Sequence, residues 1–170
     1  MGAIATERTT IPAGTWRVDP VHSSITFEVI DTTALFSAIS GRFVDFEGTL
    51  EAGERPEGAR AYGVIRAASI TTDQEKRDAH LRSPDFFDVE KFPEIRFESD
   101  RIETAGDDKI AVHGRLSIKD VPQDVVLTAR VLAGQDEGGE ERLIFTGSGE
   151  VAWGPITVTV GATITAGRDG

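Results

Sequence analysis

Asp19, His22 and Ser23 bring a carboxylate, an imidazole and a hydroxyl together within five residues, the three groups of a nucleophilic relay. Such a relay also needs an exposed nucleophile and an oxyanion hole. Groups this close along one run fit better as a hydrogen-bonded knot where a strand begins. His22, His80 and His113 would suffice in number for a zinc ion, but no two stand at a metal-site spacing, so each is read as a structural hydrogen-bonding group. Asp85 and Asp88 flank Phe86 and Phe87, with Asp73, Glu75 and Asp78 just upstream. A paired-carboxylate hydrolase needs two acids facing one cavity with their pKa values driven apart. Acids in turns and short helices more commonly cap and solvate them. Gly106-Asp107-Asp108 and Gly138-Gly139 are turns, since neither lies between a strand and a helix as a phosphate-cradling loop must. No catalytic residue, metal ligand or cofactor is expected.

The aromatic residues are the stronger candidates. Phe27, Phe43, Phe46, Phe86, Phe87, Phe97 and Trp153 are expected to face an interior, and ligand pockets are lined mainly by such groups. The same residues would serve equally well to fill a core, and the residues themselves leave both readings open. Phe86, Phe87 and Phe92 fall within seven residues, and a loop this apolar must be buried against a core or a ligand.

The elements that would position these side chains are strands. Ile25, Phe27 and Val29 alternate with Thr26 and Glu28, giving one apolar and one polar face. The same two-residue period marks 95–98 and 112–118, and in 156–164 every even-numbered position is apolar between Thr and Gly. Further strands are predicted over 41–50, 59–70, 124–132 and 142–151, about eight in all, joined by turn-rich stretches at 53–58, 105–108 and 134–139. One short helix is predicted over 74–81, capped by Thr72 or Asp73 and limited by Pro84. It is too short to stand alone and must dock. Many one-sided antiparallel strands satisfy their edges by closing on themselves. The expected fold is therefore all-β: an eight-stranded antiparallel barrel, with the helix and aromatic loop at one end and an interior able to hold one small ligand or packed side chains.

Composition narrows the function. The 170 residues carry 29 acidic and 18 basic side chains, net −11, with 13 acids and 9 bases in the first half and 16 and 9 in the second. No basic patch fits that balance, which excludes nucleic acid as a partner and an electrostatic hold on anionic lipid. Cysteine is absent, which removes disulfides, Cys-ligated metals and thiol catalysis. No apolar run approaches the ~20 residues of a membrane helix. The polar, threonine-rich stretch 1–14 lacks the apolar core of a secretory signal and reads as a flexible arm before a single domain over 15–166, with 167–170 a disordered tail. A cytoplasmic location is expected.

Four motifs in order resemble one family. Trp16-Arg17-Val18-Asp19-Pro20-Val21-His22-Ser23, running on to Phe27, resembles the W-x-x-D-x-x-H-S-x-x-x-F opening of the YceI-like proteins. Gly41-Arg42-Phe43 and Phe46-Glu47-Gly48 resemble their second strand. The most specific likeness is 77–88 with Phe92-Pro93-Glu94-Ile95-Arg96-Phe97, and 112–119 resembles the strand that follows. The resemblance implies a lipocalin-like barrel, often homodimeric, whose apolar tunnel holds polyisoprenoid chains such as the tails of quinones or lipid carriers, with no general enzymatic activity. It tips the aromatic set toward lining a ligand tunnel.

The sequence also departs from the pattern. Ile30 and Asp31 stand where the family carries a basic residue and then His or Tyr, and Val151-Ala152-Trp153-Gly154 has lost the charges of an R-x-D-F-G-like motif. The connection that follows is cut to Gly154-Pro155. These changes fall on groups that would meet a ligand's head group. The first reading is a carrier that sequesters a long apolar, isoprenoid ligand. The alternative is an enzyme on the same barrel, a metal-free cyclase or isomerase that folds a polyene or polyketide-like chain by proximity. A third possibility, a ligand-free structural protein, requires a barrel packed solid by its own side chains.

Overall fold

In the computed structural model the described residues are 6–7, 11–31, 37–55, 58–106, 109–153 and 156–168. Among the described residues, twelve strands and one α-helix follow in chain order: β1 (Thr6–Glu7), β2 (Gly14–Val18), β3 (Ser24–Asp31), β4 (Ser37–Phe43), β5 (Phe46–Ala52), β6 (Arg60–Arg66), β7 (Ile70–Thr71), α1 (Glu75–Arg82), β8 (Glu94–Thr104), β9 (Lys109–Ile118), β10 (Val121–Gln135), β11 (Glu141–Trp153) and β12 (Ile156–Arg168). Eight of them, in the order β2-β5-β6-β8-β9-β10-β11-β12, pair antiparallel all the way round and close a barrel. Closure removes the unpaired edges that a sheet of this length would otherwise expose.

The strand count differs from the expected eight because the barrel carries a branch. β12 pairs with β3 along residues 156–163 and with β2 along 166–168, so one long strand serves two neighbours in succession. β4 and then β7 continue the branch from β3. Two predicted strands are each cut where the chain steps between branch and ring. The stretch 41–50 becomes β4 and β5, and 59–70 becomes β6, a 3-10 turn at Ala67–Ser69, and β7. The two steps lie side by side: Val44 N donates to Ser69 O at 3.3 Å and Arg66 N to Asp45 O at 2.9 Å. Phe43 and Phe46 are both buried, so the inward parity changes across Val44-Asp45, a change that an apolar–polar count does not register.

The other end strands are longer than predicted, and β9 turns into β10 over Lys119 and Asp120 alone. Ile118 pairs with Val121 across them, and their φ values of 54° and 61° give the mirror-type turn that matches strand twist. Within the stretch read as an arm, Thr6–Glu7 pairs with β10 and Ile11 is buried. β12 extends to Arg168.

α1 spans Glu75–Arg82, displaced by one residue from the expected helix, and its cap is not the one predicted. Gln74 occupies the cap position without a side-chain bond. Instead Asp78, buried inside the helix, reaches back and accepts from Thr72 N at 2.7 Å, from the Thr72 hydroxyl and from the Thr71 hydroxyl at 3.3 Å. Those bonds, the Thr72 hydroxyl's first among them, hold its carboxyl below the usual carboxylate range against the opposing effect of desolvation. Arg82 donates to Ala68 O and Ile70 O, and Arg77 to Thr72, so the helix is tied to the start of the loop that precedes it. The helix docks on β7, with Leu81 in the core.

Two buried clusters occupy the interior. One gathers Phe27, Phe43, Ile70, Leu81, Phe87 and their neighbours beside α1; the other gathers Ile11, Trp16, Ile102, Ile110, Val131 and Leu143 towards the opposite end.

Candidate functional site: an apolar lumen

Between the clusters the barrel is hollow. A cavity of about 220 Å³ is bounded by the inward faces of the ring strands and part of β3, and its surface is almost wholly apolar. The wall is built by the strand period: Ile110, Val112 and Leu116 of β9, and Val160, Ala162 and Ile164 of β12, point one way while their neighbours point out. On β8 a register shift between Ser99 and Arg101 moves the inward positions from Ile95 and Phe97 to Ile102. Ile65, Phe97, Leu127, Phe145 and Val160 line the interior yet stay only half-buried, as side chains facing a void must.

The void exists because small residues occupy inward positions. Gly48, Ala61, Gly63, Ala129, Gly147 and Ala162 all lie on the wall. Gly48 and Gly63 are cross-strand partners, so bare backbone faces the lumen there and brings Glu47, Thr49 and Val64 to its edge. The pairing of β5 with β2 stops at Thr49, leaving residues 46–48 on a seam between ring and branch, where Val18, Ile25 and Phe46 meet the cavity. Close approach also requires glycine at three positions: a Cβ would sit 2.7 Å from Glu47 O at Gly63, 2.3 Å from Thr128 O at Gly147, and 2.6 Å from Glu98 O and 2.8 Å from the Phe97 ring at Gly114.

The predicted aromatic set divides. Phe46 and Phe97 are on the cavity wall. Phe27, Phe43 and Phe87 pack on one another in the cluster beside α1, with ring centroids 5.3 Å apart for Phe27–Phe43 and 6.2 Å for Phe43–Phe87. Phe86 packs against the same cluster and stands edge-on to His80 at 4.9 Å. The Trp153 side chain lies outside the described residues, as do those of Ile30 and Asp31 and the whole of residues 154 and 155. Residues the sequence reading missed are Trp16, Ile102, Phe145 and the small wall residues. Phe145 falls within a predicted strand, whereas Trp16 and Ile102 lie outside the alternating stretches and are placed on the wall by strand pairing.

The polar candidates stay apart. The Asp19 carboxylate takes the His22 Nδ1 at 2.7 Å and the Val21 N–H at 3.0 Å, and the bond to His22 above all holds its carboxyl below the usual range. Ser23 turns away and exchanges hydrogen bonds with the Thr165 backbone, so no relay forms. His80 lies 3.4 Å from Asp85 and His113 2.7 Å from Glu103, each histidine beside its own acid. Among the described residues no three His, Asp or Glu side chains are grouped to hold a metal ion, and no helix is long and apolar enough to cross a membrane.

Known proteins share this fold. The YceI-like domain matches residues 16–165. A UPF0312 protein of Photorhabdus laumondii is 32% identical over 154 residues, spanning 88% of this chain and 79% of its own. The crystal structure of BcnA from Burkholderia cenocepacia superposes with a TM-score of 0.72 at 20% identity, over 87% of this chain and 98% of that one. A domain from Saccharophagus degradans described as polyisoprenoid-binding, and implicated in plant cell wall breakdown, gives 0.63 at 14% identity over 91% and 98%. The match runs from the tryptophan on β2 to the last strand that closes the barrel, covering every element that walls the lumen; this chain belongs to the YceI-like family.

Proposed function

We propose that the protein is a binding and carrier protein for a long-chain apolar molecule, its isoprenoid tail inside the lumen and its head group at the seam by Phe46 and Glu47. The single observation that carries this is the apolar cavity. The side chains that face it, Ile65, Phe97, Leu127, Phe145 and Val160, are only half-buried and lack packing partners on that side. A chain that fills the hole recovers the lost contacts and gains ~0.8 kcal/mol for each CH₂ removed from water. The likeness of fold to the domain described as polyisoprenoid-binding supports the same reading.

Glu47 at the seam is the only titratable residue bordering the cavity among the described residues, so the wall offers hydrophobic retention rather than acid–base chemistry. That favours a carrier over the metal-free cyclase. Organic extraction of the purified protein followed by mass spectrometry tests the proposal. A stoichiometric compound with prenyl mass increments is the expected result. An empty extract from the native host, together with no uptake of added prenyl alcohols, overturns it. A cytoplasmic location and a homodimer belong to the same proposal and are read by cell fractionation and sedimentation.

A further inference from the structure

Trp16 stands on the lumen wall at the end of the barrel away from α1, within the buried cluster of Ile11, Val131 and Leu143, none of which reaches the lumen. Its indole lines the cavity, is 1% exposed, and is held at two points. The indole Nε1 donates to Pro12 O at 2.9 Å. The Arg168 guanidinium lies over the ring 4.9 Å from its centre, and that guanidinium is in turn bound to Glu141 at 2.9 Å. A ring fixed by a hydrogen bond and clamped by a cation on its face is a rigid wall. At the other end the lining reaches Ile65, Leu116 and Val125, which belong to or pack against the cluster of Phe27, Phe43 and Phe87.

From this we infer that Trp16 is a length stop: the lumen buries only about two isoprene units of an apolar chain, and any further length remains outside. The inference rests on the carrier reading and deepens it. Its measure is volume. An apolar cavity of about 150 Å³ takes one benzene, so 220 Å³ takes on the order of nine or ten carbons, not a long polyprenyl tail. Carbons beyond the stop stay wet and add nothing, whereas each buried CH₂ tightens binding about fourfold.

The test is the affinity of the full-length protein for prenyl alcohols of one, two, three and four isoprene units, read by displacement of an environment-sensitive fluorescent fatty acid. The expected dissociation constants fall steeply from one unit to two, then stay within about threefold from two to four. In Trp16→Ala the three-unit alcohol is expected to bind at least tenfold tighter than in the wild type, with the two-unit alcohol little changed. Should that variant fail to fold, Ala162→Leu, which grows into the void from β12, moves the break down to about one unit. Affinity that keeps rising through four units in the wild type overturns the stop while leaving the carrier reading intact. A folded Trp16→Ala, or in its place a folded Ala162→Leu, with an unchanged break does the same. No binding at any length overturns both.

Discussion

The two halves of this barrel are made from the same kind of strand and end up in opposite states. Beside α1, the interior is occupied by large rings: Phe27, Phe43 and Phe87 touch one another, Ile70 is 0% exposed, and the helix and the loop after it close the space with hydrogen bonds such as Phe87 N to Leu81 O. In the middle, the inward positions hold glycine and alanine, and 220 Å³ is left open. Both halves alternate apolar and polar residues with equal regularity. Alternation chooses the face; the size of what stands on it decides between a plug and a pocket. In this chain Phe86 and Phe87 belong with the plug, and the vacancy follows the small residues.

The largest expected effect lies in the plug. Phe43→Ala removes a ring that contacts two others at a site 7% exposed, and should cost about 3–5 kcal/mol in a denaturant titration. A loss under about 1 kcal/mol would mean that this end is loosely packed and that the contrast with the lumen is false.

Next come two enlargements of the same size with opposite outcomes. Ala67→Leu, at a plug position 1% exposed, should destabilise by about 1–3 kcal/mol through overpacking. Ala162→Leu grows into free space and should leave stability unchanged or raise it by ~1–2 kcal/mol while weakening retention of a long-chain prenyl ligand. Equal destabilisation by both would show that the cavity is closed in solution. Gly114→Ala refines the point, because a glycine beside the lumen is not automatically in a roomy place. Its Cβ would meet the Glu98 carbonyl and the Phe97 ring, so a loss of about 1–3 kcal/mol is expected, without the gain expected at Ala162.

The smallest effect separates the halves by pH. Asp78 has a folded pKa below its unfolded value, so its contribution is fully present above the usual carboxylate range and is lost as pH falls through the folded value. Since Asp78 holds α1, acid should loosen the plug first. Hydrogen exchange at α1 amides should accelerate below the carboxylate range ahead of amides in β9 and β10, and Asp78→Asn should remove that difference. Simultaneous loosening of helix and barrel would place the acid-sensitive group elsewhere.

Much of this architecture was legible in the residues. The alternation at 25–29, 95–98, 112–118 and 156–164 identified strands that are present, and the resemblance through Trp16, Asp19, His22 and the 77–97 stretch led to a family the chain belongs to. The missing parts share one cause. The break between β4 and β5, the parity change at Ser99 and Arg101 on β8, and the sharing of β12 between β2 and β3 are all matters of register, and register is set by partners distant in the chain. The helix cap was misplaced for a related reason: Asp78 serves the loop before it through a fold-back that spacing rules for Thr72 and Asp73 do not describe.

The sequence by itself determined that this is an all-β chain with an apolar inward face, a docked short helix, no cysteine chemistry and the motif order of its family. Those properties are local, fixed by residue type and a two-residue period. Only the tertiary structure decided that the inward face encloses a hole, how large the hole is, and that Trp16 with Arg168 closes one end of it. A cavity is the difference between the width of a closed ring and the summed side chains that reach across it, and eight strands far apart in the chain contribute to that sum.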